Sequence, residues 1–146
     1  MEYQPIKYNF KEFPINEIRK KSKEFYQIIK KRRSIRNFRK TKIDNNILKN
    51  AILAAGSAPS GANLQPWHFV VIKDKTIKKK IKIAAEKEEF NFYNYNAPIE
   101  WLNALKPLGT NSNKDLLEEA PVLIAIFEQK YVLNNNVKIK NYYVKE

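Results

Sequence analysis

Two segments of the chain carry residue types that could bind a ligand. The first is Arg32-Arg33-Ser34-Ile35-Arg36. Guanidiniums present planar forks of donors that match phosphate oxygens, so this cluster beside a helix end could hold a phosphate. Solvated surface charge explains it equally well. The second is Ala58-Pro59-Ser60-Gly61-Ala62-Asn63-Leu64-Gln65-Pro66-Trp67. A loop of small residues between a helix and a strand lets backbone approach a flat ligand closely. It also reads as a tight connection and nothing more. The single histidine, His68, has the titration range of an acid or base. It lies in an apolar, strand-like run and reads instead as a core histidine. There is no cysteine. A disulfide scaffold, a thiolate zinc site and a cysteine nucleophile are therefore excluded, and one histidine excludes multi-His metal centres.

The elements that must position these segments follow from periodicity. From Asn16 to about Lys31 the residues Ile18, Phe25, Ile28 and Ile29 keep helical spacing, with Asn16 as the expected N-cap. Ser34–Ile43 reads as a loop or short strand. Asp44 should cap a second helix whose face carries Ile47, Leu48, Ala51, Ile52 and Ala55. His68–Lys73 reads as a buried strand. Thr76 to about Tyr95 reads as a long helix, with Ile77, Ile81, Ala84 and Ala85 inward and many lysines outward. Residues 96–113 form a lid-like excursion with Trp101, Leu102 and Leu105. A short helix over Lys114–Ala120 stops at Pro121. Val122–Phe127 is apolar on both faces and reads as a central strand. Asn134-Asn135-Asn136 is a turn, and Tyr142–Glu146 reads as the opening of a helix.

The chain has 146 residues, the size of one domain. Its net charge is +13, which suggests nucleic acid, but only five of the 28 basic residues are arginine. The lysines are spread along the chain beside many Ile, Asn and Tyr, as base-composition bias would produce, so no nucleic-acid partner is expected. The N-terminus lacks the apolar core of a signal peptide, and no run approaches the ~18 apolar residues of a membrane span. A soluble, cytoplasmic protein without a membrane partner is expected.

Taken together, in this order and spacing, the two segments resemble the nitroreductase superfamily of FMN enzymes. There an RRS-x-R segment and a PSGAN-x-QPW loop both lie on the flavin. The resemblance continues through His68-Phe69-Val70-Val71-Ile72 and Ala120-Pro121-Val122-Leu123-Ile124. Within the superfamily the chain looks most like the iodotyrosine deiodinase branch, on Glu89, Tyr93 and Lys114. Glu89 and Tyr93 are four apart and share a helix face. Lys114 follows the lid-like segment. In that branch a Glu, a Tyr and a Lys at matching places grip the zwitterionic end of a halotyrosine.

The resemblance implies an α+β fold, with α-β-α layers around a mixed sheet. It implies that Arg32, Arg33 and Arg36 contact the FMN phosphate and ribityl end, with Ser34 near the flavin's polar edge. Pro59 and Ser60 would lie along the ring, Gly61 and Ala62 would present backbone to flavin and substrate, and Asn63 is a weaker candidate on the flavin side. The Ala62 N–H would face a substrate phenolate. Glu89, Tyr93 and Lys114 would bind the amino-acid portion, and Trp101 and Leu105 would close the lid. It further implies a homodimer, with NAD(P)H as a possible electron donor.

Residues 1–15 are expected as an arm and 16–146 as the domain. Family domains continue past the position of Glu146, so the resemblance covers about two-thirds of one, and the fold is expected to be incomplete at the C-terminus. Val122–Phe127 would then lack neighbours and leave apolar surface exposed. The function implied is flavin-dependent reduction of a stacked aromatic substrate, resembling reductive dehalogenation of halotyrosines. A general nitroreductase or quinone reductase acting on nitroaromatics, and a non-catalytic fragment of such an enzyme, are the alternatives.

Overall fold

The computed structural model describes residues 4–142. Residues up to Ile35 form one compact unit and residues from Arg36 onward another. In the first unit, helix α1 spans Ile15–Lys30. Asn16 is not its N-cap. Pro14 holds that position, and its carbonyl accepts the Glu17 and Ile18 N–H groups at 2.9 and 3.1 Å. Proline has a preset φ and no N–H to satisfy, so the helix starts immediately after it and Asn16 falls within the first turn. The Lys21 ammonium lies 3.4 Å from the centroid of Phe13 and 3.0 Å from Glu17, tying the arm to the helix. The stripe of Ile18, Phe25, Ile28 and Ile29 keeps its period, yet α1 has no buried residue.

The second unit opens with irregular backbone up to Asp44. Helix α2 spans Asn45–Gly56, and the Asp44 carboxylate accepts the Asn46 N–H at 2.7 Å, the expected cap. Leu48 on its face is buried, whereas Ile47 stays exposed. A 3₁₀ turn over Gly61–Asn63 leads into strand β1, Trp67–Ile72. Helix α3 spans Lys75–Asn91, capped by Asp74, and opens into a π turn over Phe92–Asn96. The expected long helix is thus real, but its last turn is wide. Helix α4 covers Ile99–Leu105 and a 3₁₀ turn covers Lys106–Leu108. Gly109 ends that turn at φ 63, in the left-handed region where a side chain would be strained. Helix α5 is only Leu116–Glu119. Strand β2 covers Leu123–Glu128, and β3 (Tyr131–Asn134) and β4 (Val137–Lys140) follow as a hairpin.

β1 and β2 pair antiparallel, from Trp67 opposite Glu128 to Ile72 opposite Leu123. Among the described residues β2 has no second neighbour, so it is an edge and not the central strand its composition suggests. The β3–β4 hairpin that follows forms a separate sheet and does not pair with β2. Ile126 and Phe127 are accordingly exposed. His68 pairs with Phe127 and is exposed too, so it is not the satisfied core histidine expected. It alternates with the half-buried Trp67 and Phe69 and so falls on the uncovered face of the strand. The hairpin turns on Asn135 and Asn136 at φ 48 and 63, which matches the mirror-image turn favoured between two strands. The sequence reading anticipated that turn but not the strands around it. Tyr142 lies in a turn, and the rest of the helix expected over Tyr142–Glu146 lies outside the described residues.

The core of the second unit is small. Leu48 and Ala120 are its buried hydrophobic residues, and Lys78 is buried beside them at 5 % exposure. Many of the α3 lysines face outward as expected, but Lys78 does not. Its ammonium donates to the Glu118 carbonyl at 2.9 Å and the Ala120 carbonyl at 2.6 Å. The last carbonyls of a helix lack intrahelical donors, and a cation there satisfies them and opposes the helix dipole. Lys78→Met fills the space but removes the donor. It should lower the unfolding free energy by about 1–3 kcal/mol, the cost of orphaned buried acceptors. Urea titration of both chains measures this; an unchanged midpoint would show that Lys78 does not hold α5.

Candidate functional site

One face of α3 carries Lys78, Lys82, Glu86 and Glu89 at steps of four, four and three. Each grips the segment that enters, forms or leaves α5. Lys82 donates to the Asp115 carboxylate and lies 3.7 Å from Glu86 and 4.0 Å from Glu118. Glu86 accepts the Lys114 backbone N–H at 2.9 Å. Glu89 lies 3.2 Å from the Lys114 ammonium. The structure thus joins two residues that stand 25 positions apart in the chain and that the sequence reading paired.

Local chemistry shapes the Lys114 turn. Asn111 accepts the Asn113 N–H and Asn113 accepts the Asp115 N–H, both at 2.9 Å, as asparagine does in turns. The Lys114 ammonium also donates to the Asn111 carbonyl at 3.0 Å. Its side chain is 23 % exposed and that of Glu89 36 %, so the pair sits at a half-covered rim. An anion and a cation side by side there match the two ends of an amino acid's backbone.

Tyr93 lies in the π turn one turn beyond Glu89. The wider turn shifts it from the four-residue register expected of an α-helix. Its ring meets Phe92 edge-on at 5.4 Å, and Phe92 meets Trp101 of α4 at 6.2 Å. Trp101 is exposed and Leu105 is half-buried. The aromatic contacts therefore tether α4, the centre of the lid-like segment, to the end of α3.

The loop residues form a compact turn. Asn63 N–H bonds the Ser60 carbonyl and Leu64 N–H the Gly61 carbonyl, both at 3.1 Å. The Ser60 hydroxyl accepts the Gln65 N–H at 2.9 Å. Those bonds leave the Gly61 and Ala62 amides at the open start of the turn. Ala62 has φ 48 and ψ 24, and Asn63 and Gln65 are also left-handed. A left-handed alanine costs about 1–2 kcal/mol and persists only where its surroundings dictate it. Pro59, Gly61 and Ala62 are exposed and Ser60 is half-buried.

Arg32, Arg33 and Ser34 belong to the first unit and Arg36 to the second. All four are exposed. The Arg33 guanidinium donates to the Lys30 and Arg32 carbonyls, each at 2.8 Å, and so caps the end of α1. A groove of about 990 Å³ lies elsewhere, lined by Lys40, Lys42, Lys73, Glu119 and Val122 among others. It includes none of the loop residues and neither Glu89 nor Lys114. Side-chain convergence, not hollow space, marks the candidate site.

Lys82, Glu86 and Asp115 are the residues that sequence reasoning missed. Lys82 and Glu86 are four apart, a spacing common on any solvated helix. Asp115 beside it holds the Lys82 ammonium above its ordinary 10.5, against some desolvation and with smaller help from Glu86 and Glu118. The hydrogen bond from Lys82, then that with Asn113, holds Asp115 below its ordinary 3.8.

The family model of the nitroreductase family matches residues 29–143. The chain belongs to the nitroreductase family, and its α+β fold is the one that family shares. Within it, the chain is similar to iodotyrosine deiodinases. It is 46 % identical over 142 residues to the iodotyrosine deiodinase of Haliscomenobacter hydrossis, covering 97 % of this chain and 64 % of that one. It is 42 % identical over 147 residues to iodotyrosine deiodinase 1 of Homo sapiens, covering 100 % of this chain and 50 % of that one. A crystal structure of oxidized iodotyrosine deiodinase bound to FMN and 3-iodo-L-tyrosine matches with a TM-score of 0.68 at 34 % identity, over 72 % of this chain and 56 % of that one. The chain thus spans from about half to 64 % of the length of these relatives. Among its described residues no helix is long and apolar enough to cross a membrane.

The Lys82–Asp115 pair has a defined pH window. A lowered carboxylate adds stability that is complete above 3.8 and fades as pH falls through the lowered value. A raised ammonium adds stability that is complete below 10.5 and fades as pH rises through the raised value. The stability lost in Asp115→Asn should therefore be constant from about pH 5 to 9 and shrink in stronger acid. Urea midpoints of both chains across pH measure it. A loss that already shrinks between about pH 7 and 5 would contradict the pairing.

Proposed function

We propose that the chain belongs to an FMN-dependent oxidoreductase that reduces an aromatic substrate stacked on the flavin, with halotyrosines as the substrate class. The observation that carries this reading is the Glu89–Lys114 pair, 3.2 Å apart at the end of α3. A general nitroaromatic or quinone reductase has no need of an anion and a cation set together beside its lid.

The residues present fit the cofactor by their donors. Exposed Arg32 and Arg36, with Arg33 at the end of α1, supply the forked donors that a phosphate prefers. Ser34 would stand near the flavin's polar edge. Pro59, Ser60 and Gly61 offer a flat, small-residue surface for the ring, and the Gly61 and Ala62 amides open away from the turn's own bonds. When bound, FMN supplies the reducing equivalents by which an aromatic ring loses halide or a nitro group is reduced. NAD(P)H, directly or through another reductase, would be their source.

The chain's own residues bind and orient. Glu89 accepts from the substrate ammonium, Lys114 donates to its carboxylate, and Tyr93 donates to either. Before binding, Glu89 and Lys114 satisfy each other. Binding exchanges one internal ion pair for two with the ligand, so no charge is left alone. Each charge-assisted bond is worth about 1.5–3 kcal/mol in a dry site, less at this partly open rim. The Ala62 amide would face the substrate phenolate and favour the ionised ring. Trp101 and Leu105 would exclude water as α4 covers the ligand.

A homodimer completes the reading. Support comes from the small core and from Ile126, Phe127, Phe25 and Trp101, all more than half exposed.

Absorbance spectra of the full chain with and without added FMN test the cofactor. A retained flavin spectrum is expected, and its absence would overturn the reading. Titration with 3-halotyrosine then tests the substrate class. Glu89→Gln and Lys114→Gln should each weaken binding about 10- to 100-fold, the equivalent of one lost charged bond. The ratio of halotyrosine to nitroarene turnover should fall with it. An unchanged ratio would favour the general reductase.

A further inference from the structure

Lys114 sits on an irregular turn, and a lysine has a long stem with several rotatable bonds. Such a side chain finds a fixed partner only if its backbone is held, because ordering it costs rotamer entropy. Two side chains of α3 hold that backbone. Glu86 accepts the Lys114 N–H at 2.9 Å, and Lys82 is bound to the carboxylate of the next residue, Asp115. Lys82 also lies 3.7 Å from Glu86. Glu86 and Glu89 are three apart on one helix face, so both carboxylates are within reach of the Lys114 ammonium. The positive charge of Lys82 commits Glu86 to the amide. Glu89 is thereby left as the ammonium's carboxylate partner, at 3.2 Å.

We infer that Glu86 and Lys82 are positioning residues for the amino-acid end of the site. They fix the Lys114 backbone on α3, set the reach of its ammonium over Glu89, and so create the preference for a zwitterionic substrate over a simple phenol. The inference rests on the reading of Glu89 and Lys114 as the zwitterion-binding pair. The charged and polar groups facing this cluster are Lys82, Glu86 and Glu89 from α3, and Asn111, Asn113, Lys114, Asp115 and Glu118 from the opposing segment. Neither Glu86 nor Lys82 needs to touch the ligand. Their effect is on where Lys114 stands.

The test compares affinities of the FMN-loaded full chain for 3-iodotyrosine and for 2-iodophenol, which lacks the ammonium and carboxylate. Glu86→Ala and Lys82→Met should lower the iodotyrosine-to-iodophenol preference about tenfold, as misplacement of a binding group does. Glu86→Gln keeps an oxygen for the Lys114 amide, and Lys82→Arg keeps the bond to Asp115. Both should recover most of the preference, which a general loss of stability would not allow. A second readout needs no flavin: hydrogen exchange at the Lys114 amide should be slow in the parent chain and in Glu86→Gln, and fast in Glu86→Ala. If Glu89→Gln and Lys114→Gln lose the preference while Glu86→Ala and Lys82→Met keep both it and the amide protection, the positioning role is wrong and the site stands. If Glu89→Gln and Lys114→Gln keep the preference, the site reading falls and this inference falls with it.

Discussion

The structure of the second unit depends on how α3 grips the segment from Lys114 to Ala120. Helix α5 is four residues long, too short to hold itself in water. What holds it is a ladder of charged side chains on one face of α3. Lys78 binds carbonyls at the end of α5, Lys82 binds Asp115 at its start, and Glu86 binds the amide before that. Glu89, the top rung, meets the Lys114 side chain. The same contacts that complete the fold therefore carry the candidate site. At the other end, Ala120 is buried and delivers the chain into β2.

A ladder of this kind substitutes for apolar packing that the unit lacks. Among the described residues Leu48 and Ala120 are its buried hydrophobic residues, and the outer edge of β2 carries no neighbour. Exposed ion pairs contribute little to stability, but Lys78 is buried and hydrogen-bonded to carbonyls, which makes it costly to remove. The apolar stripe of α1 and the outer residues Ile126 and Phe127 of β2 are exposed.

Membership in the nitroreductase family sets the chemistry that a bound flavin would bring, and in the proposed reading the site residues select what it would act on. The loop from Ser60 to Gln65 is built for backbone presentation, with Ala62 held in a conformation alanine avoids. The Glu89–Lys114 pair sets an anion and a cation 3.2 Å apart at the end of α3. The aromatic chain from Tyr93 through Phe92 to Trp101 connects that pair's helix to α4, so the lid-like segment and the ion pair share one support.

The sequence by itself determined the elements whose signals are local. Asp44 and Asp74 cap α2 and α3 because an acidic side chain reaches its own helix's amides. The apolar run at Val122–Phe127 made a strand because β-branched residues favour extended backbone. The Arg-Arg-Ser and Pro-Ser-Gly segments, with Glu89, Tyr93 and Lys114, were legible as a family pattern. Tertiary structure decided what depends on distance across the chain. A lysine on an amphipathic helix looks solvated, and only the arrival of the Glu118 and Ala120 carbonyls buried Lys78. A Lys82–Glu86 spacing looks like surface pairing, and only Asp115 made it a hub. β2 looked central because its residues are apolar, but edge or centre is set by which strands arrive, not by the strand itself. His68 looked buried for the same reason, and its place between half-buried Trp67 and Phe69 put it on the strand's uncovered face. Local sequence fixes backbone preference within a few residues; burial and charge pairing are properties of whatever the fold brings alongside.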